Sequence, residues 1–187
     1  MPTVLQFRRG TTSQNDAFTG SIGEVTVDTT VDSIRIHDGS TAGGFETNSK
    51  QAKYADIAER YYADAIYKPG TVLVFGGNNE VTSCKERGDT KVLGVVSTDP
   101  YCIMNSPHRE PELTDEYHPP VAILGRVHSK VIGKVSKGDL MVTSEVDGHA
   151  ESWHDILFPP PGSILGKAVE DKASTVKGII EILVGTG

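Results

Sequence analysis

The chain has 187 residues, 25 acidic and 18 basic, for a net charge of −7. That balance argues against nucleic acid as a partner, since sequence-independent binding needs a positive footprint. No apolar run approaches the roughly 18 residues that a bilayer span requires, and the first residues lack the basic-then-apolar layout of a signal peptide, so the expectation is a soluble, cytoplasmically made protein with no membrane partner.

In chain order, residues 3–9 (TVLQFRR) read as a strand ended by Gly10. Thr11-Thr12-Ser13 then offer an N-cap for a short turn or helix closed by Gly20. Residues 23–28 set Val25 and Val27 against Glu24, Thr26 and Asp28, and residues 33–38 set Ile34 and Ile36 against Arg35 and His37. Both are half-buried strands by period, and the short link between them predicts a hairpin. Asp38-Gly39 and Gly43-Gly44 are turn signals. The apolar residues of this unit are few, too thin a set for an independent core. Copies related by symmetry would supply the missing surface.

Residues 46–53 are polar and read as a linker. The stretch 52–66, AKYADIAERYYADAI, is the one with helical character: Ala and Glu favour a helix, and Tyr54, Ile57, Ala58, Tyr61 and Ala65 share a face. A helix docked on its own domain, a short interchain bundle and an extended arm all remain open for it. Lys68-Pro69-Gly70 stops it.

From residue 71 onward seven strand-like runs follow, TVLVFGG, EVTSC, KVLGVVS, PVAILGRVHSKVIG, DLMVTS, SILGKAVE and KGIIEILV. Several are continuously apolar, as strands covered on both faces are, and a small closed or nearly closed barrel accounts for them. Gly94, Gly125, Gly133 and Gly166 fall inside these runs, where a glycine marks a bulge, bend or close backbone approach. Two long loops, 99–120 and 148–162, interrupt the pattern.

Chemistry-bearing residues are sparse. Cys84 and Cys102 have no metal or redox spacing and read as free, mostly buried thiols. His108, Glu110, Glu112, Asp115, Glu116 and His118 match no ligand spacing, so no metal and no cofactor is assigned. Trp153, His154 and Phe158, beside Pro159-Pro160-Pro161, form an aromatic candidate surface for a partner or a host cell-surface glycan; Tyr101, His108 and His118 are added from the first loop. Ser97 lies near Asp99, and Asn105-Ser106 is a conceivable cleavage point, but no nucleophile motif or relay is present, so no catalytic residue is assigned.

The opening words QFRRGTT, AFTG, GE, TVDT and HDG-TAGGF resemble the N-terminal module of phage tail-fibre proteins, in particular the β-prism of major tropism determinants. The resemblance covers about residues 4–45 and implies an intertwined homotrimer, with Leu5, Phe7, Val25, Val27, Ile34 and Ile36 in the shared core. Further along, YADIAERY, KPGTVLVFGG, VLGVVSTDPYCIMNS, PVAILGRV and ILGKAVED are similar to a C-terminal module of cyanophage structural proteins. More distantly they resemble the intramolecular-chaperone domains that self-cleave from phage appendages, whose signature falls here on Gly94-Val95-Val96-Ser97 and Pro100. The expected fold is mainly β. It comprises a small trimeric β-prism over 1–46, a linker with a short helix over 47–69, and a β-barrel-like domain over 70–187. The expected function is a non-enzymatic virion component, a homotrimeric fibre, baseplate, tail or head appendage contacting other virion proteins. A glycan-binding tip and an autoproteolytic domain are the alternatives.

Overall fold

The computed structural model describes residues 6–47, 55–105 and 115–185. The chain divides into two compact units, Met1–Lys53 and Tyr54–Gly187, and its described residues are mainly β.

The first unit is one four-stranded sheet in the order β1 (Arg8–Gly10), β2 (Val25–Asp28), β3 (Ser33–Ile36), β4 (Phe45–Thr47). β1 and β2 run parallel; the other pairs are antiparallel. The helix α1 (Thr12–Asp16) bridges β1 to β2, and its start is fixed by a capping box. The Gln14 N–H donates to Thr11 Oγ1 at 3.3 Å, and the Thr11 N–H donates to Gln14 Oε1 at 2.9 Å. The expected hairpin is present, with Val25 opposite Ile36 and Val27 opposite Ile34. Asp32 takes φ +53° in its turn, a conformation Asp tolerates better than most residues.

The second unit holds β5 (Asp56–Arg60), β6 (Val72–Phe75), β7 (Val81–Ser83), β8 (Val92–Val96), β9 (Cys102–Met104), β10 (Pro120–Val131), β11 (Leu140–Thr143), β12 (Ala150–Ser152), β13 (Ile164–Ala168) and β14 (Gly178–Val184). β12, β11, β13, β14 and β10 pair in sequence, and Val131 of β10 pairs back onto Ala150 of β12, which closes a five-stranded barrel. Its interior is packed by Val127, Val131, Met141, Ala150, Leu165, Ala168, Ile180, Ile182 and Val184. β10 is long enough, at 12 residues, to serve two neighbourhoods. Its second half belongs to the barrel, and its first half carries β5 on one edge and β8, then β6 and β7, on the other. A second apolar cluster of Ala63, Leu73, Val81, Val96 and Val121 fills this outer part.

The two neighbourhoods meet at Gly125. It pairs with both Asp56 of β5 and Val184 of β14, at φ +106°. A Cβ there would lie 2.1 Å from the Ala55 carbonyl oxygen, so no other residue fits the crossing.

The expected helix over 52–66 is corrected by the structure. Within the described part of that stretch the chain is strand β5, antiparallel to β10 and parallel to β9. Asp56 and Ala58 point inward and Ile57, Glu59 and Arg60 are half-buried, a period of two. Helix propensity per residue is worth a few tenths of a kcal/mol, about the margin that two strand ladders override. Cys84 is buried as expected, but Cys102 is exposed, because β9 lies on the edge of the sheet.

Candidate functional site

The first unit is built inside out. Among its described residues the buried side chains are polar: Asn15, Thr26, Asp28, Ser33, Arg35 and His37. The apolar residues of the same strands face solvent, with Ile34 47 % exposed, Ile36 45 % and Phe45 57 %. Val25 and Val27 are half-buried beside them. Ile36 stands opposite both Val25 and Phe45, so the exposed residues form one stripe across β2, β3 and β4. Phe7 is also exposed, at 52 %, whereas Leu5 lies outside the described residues.

A charged network holds the polar side closed. Arg35 Nη1 donates to Asp16 Oδ1 at 2.6 Å and to the Gly43 carbonyl at 3.2 Å, while Nη2 donates to Asp28 Oδ2 at 2.9 Å. Asp28 also accepts from the Thr30 N–H and the Thr12 hydroxyl. Burial opposes the ionisation of Asp28, but the bonds from Thr30, Thr12 and Arg35 outweigh it and lower its pKa. The buried His37 ring accepts from the Gly20 N–H at Nδ1 (3.2 Å), which places its proton on Nε2, facing Thr26 Oγ1 at 3.1 Å. Gly20 lies against this ring; a Cβ there would sit 2.6 Å from His37 Cγ.

In the second unit the aromatic loop is braced at its base. Arg87 pairs with Glu151 and with Asp155, the latter at 2.6 Å, and its guanidinium lies 4.1 Å from the centre of the Trp153 ring. The hydrogen bonds that Arg87 donates to Asp155 and Glu151 raise its pKa. Trp153 Nε1 donates to the Leu157 carbonyl at 2.7 Å, turning the loop back on itself. Beyond that brace Ile156 is fully exposed, Leu157 is 79 % exposed and Phe158 81 %. Trp153, His154, Asp155, Ile156, Leu157, Phe158 and Pro160 line an open groove.

Of the other expected surface residues, Tyr101 and His118 are among those described. Tyr101 is exposed beside β9, its N–H donating to the Asp56 carbonyl. His118 is buried and stacked on Tyr62, with ring centres 4.9 Å apart. His108 lies outside the described residues. Ser97 is buried and hydrogen-bonded to the buried Asp56 carboxylate; the second oxygen of Asp56 has no protein partner. Asn105 takes φ +53° and donates to the Arg60 carbonyl. Ser106 is not among the described residues.

Sequence reading missed Arg87. It lies 66 positions from Trp153, and no local pattern marks it as the partner of that ring.

Residues 5–41 match the family described as the major tropism determinant N-terminal domain. A stretch of 45 residues is 56 % identical to the tail fiber receptor-binding protein of Bordetella phage BPP-1, covering 24 % of this chain and 12 % of that protein. The chain therefore spans about an eighth of that relative's length. Among solved structures, the pre-mature gene product 12 of bacteriophage phi29 is similar in fold over 76 % of this chain and 23 % of that one, with a TM-score of 0.53 and 11 % identity. The P3c variant of the major tropism determinant aligns over 88 % of this chain and 37 % of that one, with a TM-score of 0.25 and 19 % identity. The opening module thus resembles that of a phage tail-fibre type protein, as its sequence words suggested.

Proposed function

We propose that this chain is a non-enzymatic structural and attachment component of a tailed-phage virion, assembled as a homotrimer in a fibre, baseplate, tail or head appendage. The observation that carries the reading is the inverted first unit. A sheet that buries Arg35 and Asp28 while exposing Ile34, Ile36 and Phe45, with Val25 and Val27 half-buried beside them, calls for another surface to cover that stripe. The likeness of residues 5–41 to a tail-fibre module supports further copies of the same chain as that surface. Fully burying an Ile or Val contributes about 1.5–3 kcal/mol, of which side chains already half-buried gain roughly half on being covered, and obligate interfaces of this apolar kind resemble a domain core cut in half.

Analytical ultracentrifugation of the full chain tests this. The expected result is a trimer that dissociates on Ile36→Asp. A wild-type chain that sediments as a monomer at micromolar concentration overturns it. An intact mass on prolonged incubation is expected as well; a shortened mass restored to full length by Ser97→Ala would favour the autoproteolytic alternative.

A further inference from the structure

We propose that the 97–101 loop and the buried Asp56 beneath it form a calcium site, with Asp56 Oδ2, the Asp99 carboxylate and Ser97 Oγ as its side-chain ligands. The inference goes beyond the trimer reading and does not depend on it.

Asp56 opens β5 and is only 5 % exposed. Its Oδ2 is buried with no hydrogen-bond partner. A carboxylate oxygen in that state is costly, and a bound cation is the ligand that offsets the cost directly. The loop supplies the remaining donors. Its first residue, Ser97, hydrogen-bonds the Asp56 carboxylate through its side chain, and its last, Tyr101, donates its N–H to the Asp56 carbonyl at 2.8 Å. The Ser97 N–H donates to the Pro120 carbonyl, also at 2.8 Å, which ties the loop to β10. The arc is thus closed on Asp56 at both ends, and Asp99 stands at its middle. Pro100 restricts the backbone of Asp99 and brings no N–H of its own. The carbonyls of Ser97, Thr98 and Asp99 accept no hydrogen bond from any described residue.

Charge points the same way. Burial, and with it the like charge of Asp99, raises the pKa of Asp56. Neither carboxylate forms an ion pair with a described Lys, Arg or His. A cation held between them relieves the desolvation and the repulsion together. Among the described residues no three His, Cys, Asp or Glu side chains group as metal ligands, so the donors here are two carboxylates, a hydroxyl, carbonyls and water. An all-oxygen set selects a hard cation over zinc or copper. An irregular loop suits calcium, whose coordination is flexible, better than magnesium, which demands a near-ideal octahedron.

The test is calorimetric titration of calcium chloride into the chelator-treated full chain, with thermal melting beside it. The expected result is one site per chain with a dissociation constant of about 10⁻⁴–10⁻³ M, the weak end of calcium sites. At about 10 mM calcium the melting temperature of the second unit is expected to rise by about 5 °C or more. Asp99 is exposed, so Asp99→Asn keeps the fold; it is expected to weaken calcium binding about tenfold or more by removing one ligand charge. Asp56→Asn is expected to melt above wild type in chelator and to show no rise with calcium, so that calcium reverses the order of the two proteins. Absence of saturable binding by the wild type overturns the proposal in favour of an internal water at Asp56 Oδ2. Calcium binding that survives in both variants overturns it in favour of other carboxylates of this acidic chain.

Discussion

Replacing Arg35 by methionine removes the cation that faces Asp28 inside the first unit. The side chain keeps similar length, so the loss is one of charge and leaves a buried carboxylate uncompensated. The expected cost is about 3–5 kcal/mol at neutral pH, read as loss of the first unit's transition in thermal melting. In the wild type the pKa of Asp28 is lowered, so its contribution is full at neutral pH. It is lost as pH falls below the ordinary value of 3.8 toward the lowered one. Asp56 carries the opposite sign. Burial raises its pKa, Ser97 and its own N–H offset part of that, and Asp99 adds to it. The fold therefore favours the protonated carboxyl, and stability falls as pH rises through the raised value. Asp56→Asn should melt higher than wild type at neutral pH, with the advantage gone well below pH 3.8. A lower melting temperature at neutral pH would show that the ionised carboxylate is needed.

At the scale of elements, most strands of the second unit were readable because their apolar runs are continuous and punctuated by turns. The short strands β4, β9 and β12 were not: they fall in or beside stretches that read as linker or loop, and each is defined by its partner across the sheet. β5 was misread because Ala and Glu favour a helix and Tyr54, Ile57, Ala58, Tyr61 and Ala65 recur at helical spacing, while its inward Asp56 broke the expected alternation. Gly125 was legible as a bend inside a strand, though its partner Ala55 was not. Gly125→Ala is predicted to detach β5 and β9 before the barrel opens, because the new methyl would collide with the Ala55 carbonyl. Hydrogen exchange should show faster exchange at Ile57 and Arg60, with Val127 and Ile182 still protected. Equal loosening of β5 and β14 would contradict that order.

For the whole molecule, the two units obtain stability by different means. The second contains its own apolar clusters; the described part of the first buries polar side chains, leaves its isoleucines exposed and keeps Val25 and Val27 half-buried. The first unit's poverty of core was visible in the sequence. Which side of the hairpin faced inward was not, since alternation alone fits either choice. If copies cover the stripe, the first unit's melting temperature should rise with protein concentration while the second unit's stays constant. Calorimetry over a hundredfold dilution reads the two separately, and a concentration-independent first transition would argue against coverage by copies. In the second unit, the double role of β10 sets how the domain responds to force. A pull along β10 has to shear the ladders to β5, β8 and β14 together, whereas a pull on β9 peels its pairs from β5 one after another. An appendage tethered through the barrel would hold tension that the outer edge could not.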